Sequence, residues 1–284
     1  MIRPLITVEP LRAHDGMQLV VERHLVEAPR ARVVILHGYA EHRRRYDRIM
    51  QPLVAHGFEC IAADLRGHGD STGQRGHVSR FSDYLDDLQR IVATVGRDAP
   101  RYLVGHSLGG LISLQYVLKN ATDFDGVAVS SPFVRSAFAV SRTQVALARV
   151  AQVVAPRLPF RSPLRAEQVS RDPEEVALYA NDPAVFRTTT PRWYSEVTEA
   201  QKEIFARAPE IHLPLLMLLG TADSIADPRG GMEVFERLGS ADKSLEVYPG
   251  YFHEVFNDVG REAPIARLVG WLETQCASTA SSRG

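Results

Sequence analysis

Arg101-Tyr102-Leu103-Val104-Gly105-His106-Ser107-Leu108-Gly109-Gly110 is the stretch that decides the fold. Its first four residues read as a buried strand, and residues 111–119 read as a helix. Between them stands Gly-x-Ser-x-Gly, from Gly105 to Gly109. A strand that breaks into a helix through such a pentapeptide holds its serine on a sharp, strained turn, with the hydroxyl above the sheet edge. Side chains two residues to either side would meet neighbouring backbone, so both places need glycine. A helix that starts at once aims free N–H groups at whatever lies over the serine. Ser107 is therefore the candidate nucleophile.

The flanking sequence supplies the sheet. Residues up to about 24 read as a β-hairpin turning at Asp15-Gly16. Arg32-Val33-Val34-Ile35-Leu36 is a β-branched run typical of a strand buried on both faces. A helix over 46–56, stopped by Gly57, leads to a strand at 58–63. Residues 80–95 place Phe81, Tyr84, Leu85, Leu88, Ile91 and Val92 on one helical face. Another strand follows at 126–130. This alternation predicts an α/β protein, its mainly parallel sheet flanked by helices.

From 133 to 211 the pattern breaks. No buried strand is evident; 137–155 reads as an apolar helix, and Asp172-Pro173-Glu174-Glu175 is a helix start. Residues 185–191 and 196–208 read as helical or irregular pieces. The expectation is a helical cap insertion, 133–211, lying over the strand ends. It divides the core into 1–132 and 212–276, with 277–284 as a frayed tail. The second part carries strands at 214–219 and 243–248 and helices at 231–238 and 263–274.

The chain has 284 residues, 45% of them hydrophobic, enough for a sizeable core. Its formal charge of −1 argues against a nucleic-acid partner. The cluster Arg43-Arg44-Arg45 is short and reads as a solvated helix start. Cys60 and Cys276 show no metal spacing and no disulfide framework, which fits a reducing compartment. The first residues lack a signal-peptide pattern, and no stretch has the length of a membrane span. A cytoplasmic protein is expected. Phe138, Val140, Val145, Leu147 and Val150 offer peripheral contact with a membrane or micelle through the insertion.

A serine hydroxyl needs a base, and the base needs a carboxylate to fix its tautomer. These should follow the serine in the order acid, then histidine, on loops after later strands. Asp223 follows the strand at 215–219, and His253 follows the strand at 244–248. Asp227 shares the Asp223 loop and could instead cap the next helix. An oxyanion would rest on the N–H of Leu108 and an N–H of the loop after Leu36, that of Tyr39. His37 reads as an orienting residue, and Asp64, Arg66 and His68 as a structural loop network. His106 should bond locally, while Glu41 and His42 either line the pocket or stabilise the loop.

His37-Gly38-x-x-Glu41-His42-x-x-Arg45-Tyr46, Asp64-x-Arg66-Gly67-His68-Gly69-x-Ser71, the serine pentapeptide, Gly220-x-x-Asp223 and Tyr248-Pro249-Gly250-x-x-His253-Glu254 together resemble the monoacylglycerol lipase and lysophospholipase branch of the α/β-hydrolase superfamily. The likeness spans nearly the whole chain. Ser170-Arg171-Asp172-Pro173 and Asn181-Asp182-Pro183 resemble bacterial monoacylglycerol lipases in particular. The resemblance implies the α/β-hydrolase fold with an eight-stranded sheet. It implies Ser107 as nucleophile, Asp223 as acid, His253 as base, and Tyr39 and Leu108 as oxyanion donors. The substrate it implies is a small lipid ester, a monoacylglycerol or similar single-chain acyl ester, cleaved through an acyl-enzyme. Lysophospholipases, short-chain carboxylesterases and aminopeptidase-like amidases share the same triad. No metal or organic cofactor is required. Mammalian members carry cysteines near the site, and this insertion has none, so thiol sensitivity does not carry over.

Overall fold

The computed structural model describes residues 5–138 and 142–283, the side chains of 142, 144–146 and 279–283 excepted. Strands β1 (Leu5–Arg12) and β2 (Gln18–Leu25) form the expected hairpin. Then come β3 (Ala31–Leu36), α1 (Asp47–Ala55), β4 (Phe58–Asp64), α2 (Ser82–Val92), β5 (Arg101–His106), α3 (Leu108–Lys119) and β6 (Gly126–Ser130). The chain next leaves the sheet for α4 (Arg142–Val154), β7 (Phe160–Arg161), α5 (Pro173–Asn181), β8 (Thr188–Thr189) and α6 (Pro191–Arg207). It returns with β9 (Leu215–Gly220), α7 (Pro228–Arg237), β10 (Lys243–Tyr248) and α8 (Glu262–Arg283). The sheet order is β1-β2-β4-β3-β5-β6-β9-β10, with β2 antiparallel to both neighbours and every other pairing parallel. This is the eight-stranded α/β-hydrolase architecture.

Period-two alternation sorts the strand residues into two cores. Val34, Leu36, Leu103, Val127, Val129, Met217 and Leu219 face α2, α3, α6 and α7. Val33, Ile35, Tyr102, Val104, Ala128, Leu216 and Leu218 face α1 and α8. Because both faces are covered, the central strands read as unbroken apolar runs.

Several elements depart from the sequence expectation. Helix α3 begins at Leu108, immediately after the serine, and not at 111. Helix α4 is shorter than 137–155, and Val140 and the Val145 side chain lie outside the described residues. Helix α6 starts at Pro191, where the Thr190 hydroxyl accepts from the Trp193 N–H at 3.3 Å. Its Trp193, Val197, Ala200 and Ile204 join the main core. Residues 188–189 are extended, paired with β7. Helix α8 continues past 274 to Arg283, through residues assigned to a frayed tail.

The basic cluster is also different. Arg43, Arg44 and Arg45 form a short 3-10 turn, and only Arg44 is exposed. Arg43 is buried; it donates to Glu22 at 3.1 Å and to Asp64, which has no exposed surface. The residues flanking a glycine-rich loop demanded this cation, since a buried carboxylate needs a partner. Replacing Arg43 by Met strands the Asp64 charge. Urea unfolding is expected to show a loss of about 3–5 kcal/mol.

Candidate active site

Three loops meet over the C-terminal ends of β3, β5, β9 and β10. Ser107 stands between β5 and α3 with φ +50° and ψ −114°, a left-handed backbone rare for a side-chain-bearing residue. A Cβ on Gly105 would lie 2.5 Å from the Gly109 carbonyl oxygen, and one on Gly109 would lie 2.4 Å from that of Leu36. Glycine at both places is thus a packing requirement. A Cβ on Gly38 would lie 3.1 Å from the Ser107 Cβ, so the loop carrying the Tyr39 N–H packs directly beside the serine. Leu108 opens α3, where the first N–H groups have no helical acceptor.

His253 lies on the loop after β10, and its Nδ1 is 2.7 Å from Asp223 Oδ2. A carboxylate only accepts, so Nδ1 carries the proton and Nε2 offers its lone pair. The other Asp223 oxygen accepts from the N–H groups of Ile225 and Ala226 at 2.8 and 3.0 Å, which fixes the carboxylate plane. Asp227 is not part of this arrangement. It caps α7, accepting from the Arg229 N–H at 3.1 Å. Ser107, Asp223 and His253 are all buried.

Burial by itself would depress the His253 pKa. The adjacent Asp223, with Glu254 and Glu41 further off, outweighs it and holds the imidazolium above its ordinary range. The other histidines here behave oppositely. Burial drives His37 and His68 down to about 3 and His106 well below its usual value. His37 accepts from the Leu65 N–H at 2.9 Å on Nε2 and donates from Nδ1 to the Gly38 carbonyl at 2.7 Å, so it orients the loop. His106 Nδ1 pairs with Ser130 Oγ at 2.9 Å. Arg66 grips Asp87 with two bonds of 2.6 Å, the expected loop network.

The sequence left Glu41 open between lining the pocket and stabilising the loop after β3; the structure places it on the loop, and the part Arg45 plays there was missed. Glu41 Oε1 accepts from the Gly38 N–H at 2.6 Å and from Tyr46 Oη at 2.7 Å, and so braces the loop. Arg45, buried, bridges Glu41 at 3.1 Å and Glu254 at 2.5 Å. Burial, then Glu254, push the Glu41 carboxyl up to about 7 against the pull of Arg45. The i, i+4 spacing of Glu41 and Arg45 was the available signal. His42 turns the other way, its Nε2 2.7 Å from Asp182 in the insertion.

A family model described as "Serine aminopeptidase, S33" matches residues 27–260. A monoacylglycerol lipase of Mycolicibacterium smegmatis is 35% identical over 248 residues, covering 86% of this chain and 88% of that protein. The monoglyceride lipase of Rattus norvegicus is 31% identical, with 81% and 78% covered. The crystal structure of a Paleococcus ferrophilus monoacylglycerol lipase superposes with a TM-score of 0.85 at 32% identity, covering 91% of this chain and all of that one. The chain belongs to the monoacylglycerol lipase branch of the α/β hydrolases. It is a hydrolase of the carboxylic ester class.

If His253 is the base, only its neutral form works. Its raised pKa places the acid limb of kcat/KM above pH 6.5, with activity rising as pH rises through it. Asp223→Asn removes the main raising influence and leaves the burial. The limb is expected to move below pH 6.5, with kcat down roughly 10⁴-fold. A pH–rate profile of both proteins checks this; an unmoved limb contradicts the pairing.

Proposed function

We propose that this protein hydrolyses monoacylglycerols or similar single-chain acyl esters through an acyl-enzyme on Ser107. The observation that carries the reading is the buried His253–Asp223 pair beside a strained Ser107 elbow. His253 Nε2 takes the hydroxyl proton as Ser107 Oγ attacks the ester carbonyl, and Asp223 stabilises the imidazolium. The N–H groups of Tyr39 and Leu108 receive the oxyanion. His253 then protonates the departing alcohol. A water deprotonated by the same ring releases the fatty acid. Each step returns the proton it borrowed.

The lipid substrate rests on the relatives named as monoacylglycerol lipases and on the insertion. We read 133–211 as a cap. Leu147, Val150, Val153, Val154, Leu158 and Phe160 are exposed on and after α4, an apolar set suited to a micelle or membrane surface. Among the described residues no helix is long and apolar enough to cross a membrane.

Ser107→Ala should abolish hydrolysis of monoacylglycerol and of p-nitrophenyl esters together, along with fluorophosphonate labelling. Retained turnover overturns the assignment. A panel of monoacylglycerol, lysophospholipid, short-chain ester and aminoacyl amide separates the shared-triad activities; faster cleavage of the amide overturns the lipase reading. Replacing Leu147, Val150 and Val154 by Ser should slow hydrolysis of micellar monoacylglycerol about tenfold. It should leave a soluble butyrate ester untouched, since that substrate requires no contact with a lipid surface.

A further inference from the structure

We propose that Asp258 is a positioning residue for His253, and that through Arg171 it ties the orientation of that ring to the insertion. The proposal rests on the reading of His253 as the base.

The loop between β10 and α8 has no ladder to hold it. Beside the bonds from the Ala222 N–H to the Tyr251 carbonyl at 3.0 Å and from the Val255 N–H to the His253 carbonyl at 3.2 Å, three more hold the backbone around His253. Its own carbonyl accepts from Ser131 Oγ at 2.7 Å, at the end of β6. The N–H of Glu254 donates to the Val169 carbonyl at 2.8 Å. The N–H of Phe252 donates to Asp258 Oδ2 at 2.7 Å. Only the first anchor belongs to the end of a sheet strand. The second reaches the insertion directly, and the third reaches it through Asp258.

Asp258 has no exposed surface. Its Oδ1 accepts from the N–H of Arg171 at 2.7 Å and of Val259 at 2.8 Å, with Ser170 Oγ at 3.4 Å. Its Oδ2 accepts both the Phe252 N–H and Arg171 Nε, the latter at 2.9 Å. One oxygen atom is therefore shared between the Tyr251–Phe252 peptide, one unit ahead of the histidine's own, and a side chain of the segment between β6 and β9. Arg171 reinforces the link from the same position. Its guanidinium donates to the Val259 carbonyl at 2.7 Å and stacks 4.4 Å from the Tyr251 ring centroid. Tyr251 and Val259 bracket the loop on either side of the histidine. A carboxylate that served the fold alone could be satisfied within its own loop. This one is divided between the histidine loop and the residues just ahead of α5.

Truncating the Arg171 side chain leaves Oδ2 with the Phe252 N–H alone, so the carboxylate, still held on Oδ1 by the backbone N–H groups of residues 171 and 259, loses the bond that sets Oδ2 against the Phe252 peptide. The His253 ring then drifts from Asp223. Displacements of this size, on the order of 1 Å, cost roughly 10²-fold in rate. The full-length protein with Arg171→Ala, Arg171→Lys and Asp258→Asn tests the link, assayed on a soluble p-nitrophenyl butyrate so that lipid contact plays no part. Arg171→Ala and Asp258→Asn are expected to lower kcat about 10- to 100-fold with KM within about twofold. The acid limb of kcat/KM should shift to lower pH, because a drifting ring loses the influence of Asp223. Arg171→Lys keeps a cation on Asp258 and should recover part of kcat. A parental kcat and acid limb, with only a lower Tm, overturn the proposal. Arg171 is partly exposed, so its Ala variant carries the test if Asp258→Asn does not fold. Ser107→Ala in parallel keeps the two readings apart. If it retains turnover, the triad reading falls; if it is inactive while Arg171→Ala behaves as the parent, only this proposal falls.

Discussion

The constraint on which the rest depends is the backbone of Ser107. A non-glycine residue at φ +50° and ψ −114° costs of order 1–3 kcal/mol, and it persists only where its surroundings over-determine it. Here they do. Strand β5 is paired on both sides, by β3 and β6. The Ser107 N–H donates to the Ser130 carbonyl at 3.0 Å, and the Ser107 carbonyl accepts from Leu111 at 3.0 Å and from Phe133 at 2.9 Å. The elbow is thereby bonded to the neighbouring strand, to its own helix and to the start of the insertion. Ser131, one residue beyond β6, is also left-handed at φ +42°, and its hydroxyl holds the His253 carbonyl. Two serines with left-handed backbone, each just past the end of one of two neighbouring strands, thus fix where Ser107 and the His253 loop sit.

Electrostatics then selects among the histidines. His37, His68, His106 and His253 are all buried within one region. A buried imidazole with only neutral partners cannot hold a proton, and the first three are driven far down. His253 alone among them faces a carboxylate at hydrogen-bond distance, which stabilises its charged form. The cations nearby are spoken for. Arg45 is held between Glu41 and Glu254, and Arg43 between Glu22 and Asp64. These ion pairs brace the loop after β3 and neutralise the cations closest to His253.

The sheet was legible because both its faces are covered. Strands such as Val33-Val34-Ile35-Leu36 then carry apolar residues at every position, and helices between them carry a 3.6-residue stripe. The candidate site residues could be singled out in the sequence because each sits at a fixed offset from a strand end, as Asp223 does after β9 and His253 after β10. The ion clusters could not. Whether three arginines in a row are solvated or buried depends on the carboxylates the fold brings up. Glu22 and Asp64 lie 21 residues from Arg43 on either side. The insertion was legible only at its caps. Asp172-Pro173 announced α5, whereas Thr190-Pro191, the same signal, was passed over inside a stretch read as helical or irregular. The start and continuity of α6 escaped because its apolar residues serve the main core, which no local pattern can show.

That sharing bears on how a substrate enters. The insertion is bonded to both catalytic loops. Thr188 accepts from Tyr39 Oη at 2.6 Å, Phe186 donates to the Ala40 carbonyl at 3.3 Å, and Asp182 holds His42, all on the oxyanion side. Val169 and Arg171 grip the histidine loop on the other. Helix α6 is built into the sheet's own core. Displacing 169–190 as a body would break its bonds to the loop after β3 and to the loop after β10 together. Leu147, Val150, Val153 and Val154 of α4 take no part in these bonds and are left in water. A movement of α4 alone would leave both loops assembled.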